Sequence, residues 1–155
     1  MKNIISFIVL ICSVAVILTS CSKDEESTTA ATTTSKTTTT PSGSITMGSY
    51  TASGVYISSC FSGSGVSTLV SAGSIPSDAQ SFGFAFVVTG DDSFTEETHV
   101  FTDTGCTTST YISKLLRDNV TVGTASGANY PVTYNDQGFK LTVNTTTAET
   151  WLETL

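Results

Sequence analysis

The sequence predicts an all-β fold: a small antiparallel sheet of about eight short strands, bent or closed into an up-and-down barrel, with a short C-terminal helix. Three observations predict it. Phe82, Phe84, Phe86 and Val88 alternate with smaller residues, the period of a strand that buries one face. Alternating runs come in pairs separated by turn formers, as in Gly90-Asp91-Asp92-Ser93 and Asn135-Asp136-Gln137-Gly138. Only the last segment has helical spacing, where Ala148, Trp151, Leu152 and Leu155 fall at i, i+3, i+4 and i+7.

Taken in chain order, 54–61 and 66–72 read as the first two strands, flanking a Gly63-Ser64-Gly65 turn. Residues 81–102 read as a hairpin through Gly90–Ser93. Two further strands are expected at 110–116 and 119–124, with Arg117-Asp118 near their turn. A second hairpin follows, in which Tyr130, Val132 and Tyr134 alternate, 135–138 turns, and Phe139, Leu141 and Val143 alternate back. Thr146-Thr147-Ala148-Glu149 has the form of a capping box, so a helix is expected over 147–154 with Trp151 packed over one end of the sheet. Closing the sheet would remove exposed edges.

The first 44 residues read differently. Lys2 precedes a nearly continuous apolar stretch from Ile4 to Ile17. As a helix it would span roughly 21 Å, short of the ~30 Å hydrocarbon core, so it reads as a signal h-region. Leu18-Thr19-Ser20-Cys21 resembles the bacterial lipobox, which implies cleavage after residue 20 and lipidation of Cys21. Ser22-Lys23-Asp24-Glu25-Glu26 resembles the short Lys-plus-acidic tract of surface-exported lipoproteins of Bacteroidetes. Residues 27–44 hold 13 Ser/Thr in 18 positions and no large apolar side chain, the composition of a disordered tether. The expected organisation is a signal peptide over 1–20, a lipidated Cys and tether over 21–44, and a β-domain over 45–155. The expected setting is the outer membrane, facing the periplasm or exposed at the cell surface.

Charge narrows the function classes. The chain has 6 Lys+Arg against 13 Asp+Glu, a net charge of −7, and its β-domain carries only Lys114, Arg117 and Lys140 as basic residues. No basic surface exists to release counterions from a phosphate backbone, so nucleic acid is excluded as an expected partner. The 30 Thr and 23 Ser make hydroxyls, rather than charges, the commonest polar groups. Of four cysteines, Cys12 would leave with the signal and Cys21 would carry lipid. Cys60 and Cys106 would then meet an oxidising compartment and are expected to form a disulfide; unlinked thiols are the alternative.

Gly48-Ser49-Tyr50, Cys60 ten residues later, and Phe101-Thr102-Asp103-Thr104-Gly105-Cys106 resemble a group of small bacterial lipoproteins with lipocalin-like domains. The resemblance covers roughly 48–144 and departs at Tyr50, where the group has Trp. It implies a barrel or half-barrel and carries no functional residues with it.

Candidate chemistry is sparse. Alternation would place Glu97, His99, Phe101 and Asp103 on one face, and Glu97, His99 and Asp103 could serve a metal-assisted enzyme. Residues two apart on a strand are ~6.5 to 7 Å apart, too far for one strand to close a coordination shell, so a solvated face is expected instead. Asp91, Asp92, Glu96 and Glu97 are a candidate calcium cluster at a hairpin tip, where acidic residues are ordinarily hydrated. The expectation is a non-enzymatic, lipid-anchored binding or interaction module without cofactor. Its candidate ligand-facing residues are Phe82, Phe84, Phe86, Tyr130 and Tyr134, and its partner a small apolar ligand or an envelope or extracellular protein.

Overall fold

The computed structural model describes residues 22–23, 37–127 and 129–155. The signal peptide over 1–20, Cys21 and most of the tether lie outside the described residues.

Among the described residues, nine strands and two helices run in the order β1 (Ser22–Lys23), β2 (Ser44–Met47), β3 (Tyr50–Ser53), β4 (Val55–Ile57), β5 (Phe61–Ser62), α1 (Ser64–Ser71), β6 (Ser81–Val88), β7 (Phe94–Phe101), β8 (Ser109–Val122), β9 (Val132–Val143) and α2 (Thr146–Leu152). The main sheet is antiparallel in the order β1-β4-β6-β7-β8-β9, with β5 also paired to β6, while β2 and β3 form a separate hairpin. The fold is therefore all-β and the sheet is open, ending at β1 and β9. No described helix is long and apolar enough to cross a membrane.

The hairpin at 81–102 forms as expected, with Ser81 opposite Phe101 and Val88 opposite Phe94. Three other expected elements change. Val66 to Ala72 is not a strand: Val66, Leu69 and Val70 fall at i, i+3 and i+4, and α1 turns them into an apolar cluster. The helix ends in a Schellman motif, where Gly73 at φ +69 supplies the left-handed residue, its N–H bonds to Val70 O, and Ser74 N–H bonds to Leu69 O. The two strands expected over 110–124 are one 14-residue strand, Ser109–Val122. Arg117-Asp118 is expected near a turn, but the chain runs on through a β-bulge opposite β9, where Asn119 at φ 50 takes the left-handed backbone that Asn tolerates. Asn135 to Gly138 likewise continue β9: Arg117 bonds to Asp136, and Gln137 Nε2 donates to Asp118 Oδ1 at 2.7 Å. The reversal falls instead at residues 123–131, where Gly123 N–H bonds to Pro131 O.

Register sorts the side chains onto two faces. The first carries Ser81, Gly83, Ala85 and Val87 opposite Phe101, His99, Glu97 and Thr95. The second carries Phe82, Phe84, Phe86 and Val88 opposite Val100, Thr98, Glu96 and Phe94. One end of the second face is covered by both helices, where Val66, Ile75, Ala79 and Ala148 pack on Val100 and Tyr111. The other end is covered by the β2–β3 hairpin, where Ile45 packs on Val88 and Phe94. The terminal helix is capped by Thr145, one residue earlier than expected, whose hydroxyl accepts from Ala148 N–H. Trp151 stacks on Tyr111 at 5.4 Å and donates its indole N–H to Gly73 O at 2.9 Å, joining the two helices. Burial pushes the Tyr111 phenol up to about 12. Cys60 and Cys106 are joined by a disulfide that ties the β4–β5 connection to the loop after β7.

Candidate functional site

Two groupings of side chains stand out, one on each face of the sheet. On the second face, the alternation of β6 and the pairing of β5 with β6 line up rings. Phe61 stacks on Phe82 at 5.3 Å, Phe82 meets Phe84 edge-on at 5.5 Å, and Tyr56 meets Phe86 edge-on at 6.2 Å. These are the offset and edge-to-face arrangements that ring quadrupoles favour. Phe82, Phe84 and Phe86 are half-buried: Phe82 packs against the apolar cluster under the helices and Phe86 against the one under the β2–β3 hairpin, so the aromatic face carries the apolar core at both ends, while the small residues on the first face of β6 are buried as well. Between the two covered ends, Phe84, Thr98, Ser113 and Leu115 are half-buried and Phe139 is 50% exposed. The outcome is an aromatic strip along an open sheet.

The remaining candidate ligand-facing residues lie at the margins. Tyr134 stands edge-on to Phe94 at 5.4 Å and under the Arg117 guanidinium, whose carbon is 4.8 Å from the ring centre. Arg117 also pairs with Glu96 at 3.2 Å. Tyr130 lies in the β8–β9 connection and meets the exposed Tyr50 edge-on at 6.5 Å, away from the strip. Two surface depressions flank α2, one lined by Val143, Thr145 and Leu152 and the other by Val70, Ile75 and Trp151; neither includes a ring of the strip.

On the first face, Glu97 and His99 are brought together, and this face is not solvated. Glu97 is 1% exposed and His99 3%. His99 Nε2 lies 2.6 Å from Glu97 Oε2, and Lys114 Nζ, from the neighbouring strand, lies 3.0 Å from Oε1. The reason for the burial is a segment assigned by composition to the tether. Thr38 N–H donates to Oε2 at 3.1 Å, and the Thr39 hydroxyl donates to Oε1 and accepts from Lys114 Nζ at 2.7 Å. Burial raises the pKa of Glu97, but hydrogen bonds from His99, Thr39, Lys114 and Thr38 outweigh it and hold the carboxyl at about 2.

Asp103 does not join Glu97 and His99. Its carboxylate accepts from the backbone N–H groups of Gly105, Thr107 and Thr108 and from the Thr107 hydroxyl, holding the loop that carries Cys106. The hydrogen bond from Thr108 leads a set that outweighs desolvation and keeps Asp103 at about 2. Among the described residues, no group of three or more His, Cys, Asp and Glu side chains is placed to hold a metal ion. The acidic hairpin tip is likewise dispersed: Asp91 accepts from Ser44 N–H, Glu96 pairs with Arg117, and Glu97 is buried on the opposite face.

Sequence reasoning missed Thr38, Thr39 and Lys114. Lys114 lies directly across from Glu97 in the β7–β8 register, which a bulge at Val100/Phe101 sets. A basic residue 17 positions from a buried acid carries no signal without that register. No family model, curated protein or solved structure matches the chain.

Proposed function

We propose that the chain is a lipid-anchored protein of the cell envelope, non-enzymatic, whose β-domain binds a partner through the second face of its sheet. The observation that carries the binding half is the open stretch of the second face between its two covered ends, where Phe61 meets the half-buried Phe84 at 6.0 Å and Leu115 and the exposed Phe139 stand on the same face. Rings present large apolar area at small conformational cost, and apolar surface left open on a small domain marks interaction sites. The anchoring half rests on the lipobox-like Leu18–Cys21 behind its apolar stretch, and the outer-membrane placement on the tract that follows. The partner is an envelope or extracellular protein that lays an apolar surface along the strip. A small apolar ligand, in the manner of a lipocalin, would use the same rings, but an open sheet favours a broad contact over an enclosed one.

Each half has its own test. Metabolic labelling with a palmitate analogue is expected to mark the wild-type chain and not Cys21→Ala; equal labelling refutes the anchor. Untargeted mass spectrometry of material co-purified with wild type and with Phe84→Ser is expected to recover the partner only from wild type. Identical recovery from both refutes binding through the strip.

A further inference from the structure

The Glu97, His99 and Lys114 cluster is completed from outside the sheet. His99 shares β7 with Glu97 and Lys114 comes from β8, yet two of the groups bonded to the carboxylate, Thr38 N–H and Thr39 O–H, belong to no strand of the sheet. An ionised carboxylate offers about four acceptor positions, and a buried one left short of donors is unfavourable. The sheet alone supplies His99 and Lys114; the rest must be brought to it.

We propose that Glu97, His99 and Lys114 form a peptide-binding seat. It reads a residue pair through the backbone N–H of the first residue and the hydroxyl of the second, and its ligand is this chain's own Thr38-Thr39. The second hydroxyl works in both directions, donating to Glu97 and accepting from Lys114, so it cannot be replaced by a methyl group of the same shape. A serine hydroxyl meets the same requirement. The run Thr37 to Thr40 repeats the N–H and hydroxyl pair at every step, so a tract with nothing apolar to bury has the chemistry this seat needs.

Contacts downstream select the register. Ser42 N–H donates to Val88 O at 2.9 Å, and its hydroxyl to Thr89 O at 2.6 Å. Gly43, at φ +66, passes so close to the β6–β7 turn that a Cβ would lie 2.6 Å from the Gly90 carbonyl carbon. These contacts fix the segment three residues beyond Thr39, and the chain then turns into β2 to cover the second face. The seat thus holds Thr38 and Thr39 against the face opposite the aromatic rings of β6. The proposal does not depend on lipidation.

Amide hydrogen exchange, followed by mass spectrometry of the full chain, tests it in peptides covering 37–43. Wild type and Thr39→Ser are expected to exchange at least tenfold more slowly there than an unstructured Thr-rich chain. Thr39→Val is expected to lose that protection while β6 and β7 keep theirs, and Glu97→Gln to do the same. Should Glu97→Gln fail to fold, the pair of substitutions at the half-buried Thr39 carries the test. Exchange at the unstructured rate in wild type, or equal protection in Thr39→Val and Thr39→Ser, would overturn the seat.

Discussion

Removing the Cys60–Cys106 cross-link is expected to destabilise the domain more than any single surface substitution. The residues are 46 apart, so the bridge closes a loop of 47 residues. Chain-entropy reasoning gives about 4 kcal/mol for a loop of that size. With an unfolding entropy near 2.1 cal/mol/K per residue over about 110 residues, that loss lowers Tm by about 17 °C. Two perturbations separate cross-linking from packing. Reduction leaves both sulfur atoms in place, whereas Cys60→Ala with Cys106→Ala also empties the site of the fully buried Cys106. Thermal unfolding followed by circular dichroism is expected to show a large shift in both cases, somewhat larger for the double alanine chain. The two-residue β5, next to Cys60, is expected to detach from β6 first. A shift below ~5 °C on complete reduction would refute the argument that the unfolded chain is constrained by this loop.

Glu97 gives an acid-linked term. Its folded pKa of about 2 lies below the ordinary carboxyl value of 4.5, so its contribution is complete above pH 4.5 and is lost as pH falls through 2. Discounted for water reaching the cluster beside Lys114, that contribution is about 2 kcal/mol. Urea unfolding of wild type and Glu97→Gln at neutral and acid pH should therefore show a gap that narrows by that amount between pH 4.5 and 2; a constant gap contradicts it. Trp151→Ala removes a half-buried ring stacked on Tyr111 together with its bond to Gly73 O, and is expected to cost about 2 to 3 kcal/mol in chemical denaturation. Asp103→Ala is expected to accelerate amide exchange at Gly105, Thr107 and Thr108 while the sheet's own amides are unchanged.

How much of this was legible in the sequence depended on whether a residue's role was local. The β6–β7 hairpin could be read because alternation and a turn cluster act within about twenty residues. The same reading failed at Val66 to Ala72, where the spacing also fits a helix and only packing against Val100 and Tyr111 decides between them. It failed again at Arg117–Asp118 and Asn135–Gly138. Turn-forming residues serve a bulge equally well, and whether the chain reverses depends on the partner strand. At the site, the rings of β6 were visible, but Phe61 joins them through the β5–β6 pairing and Phe139 shares their face through its place opposite Leu115, neither of which β6 encodes. The buried acid was the harder case. Glu97 and His99 on alternate positions look like a wet face until Thr38 and Thr39 arrive from nearly 60 residues away. Low-complexity composition implies little apolar burial, yet it does not prevent a hydroxyl-rich segment from satisfying a buried charge.

The claim that the second face binds apolar surface is tested most directly by titrating the full chain, purified as Cys21→Ser to remove the anchor, with the neutral fluorescent probe N-phenyl-1-naphthylamine. Saturable binding is expected for that chain, weakened at least tenfold by Phe84→Ser with Phe139→Ser while far-ultraviolet circular dichroism is unchanged. Equal affinity in the two chains, or no saturable binding by the chain with its rings intact, would contradict the claim.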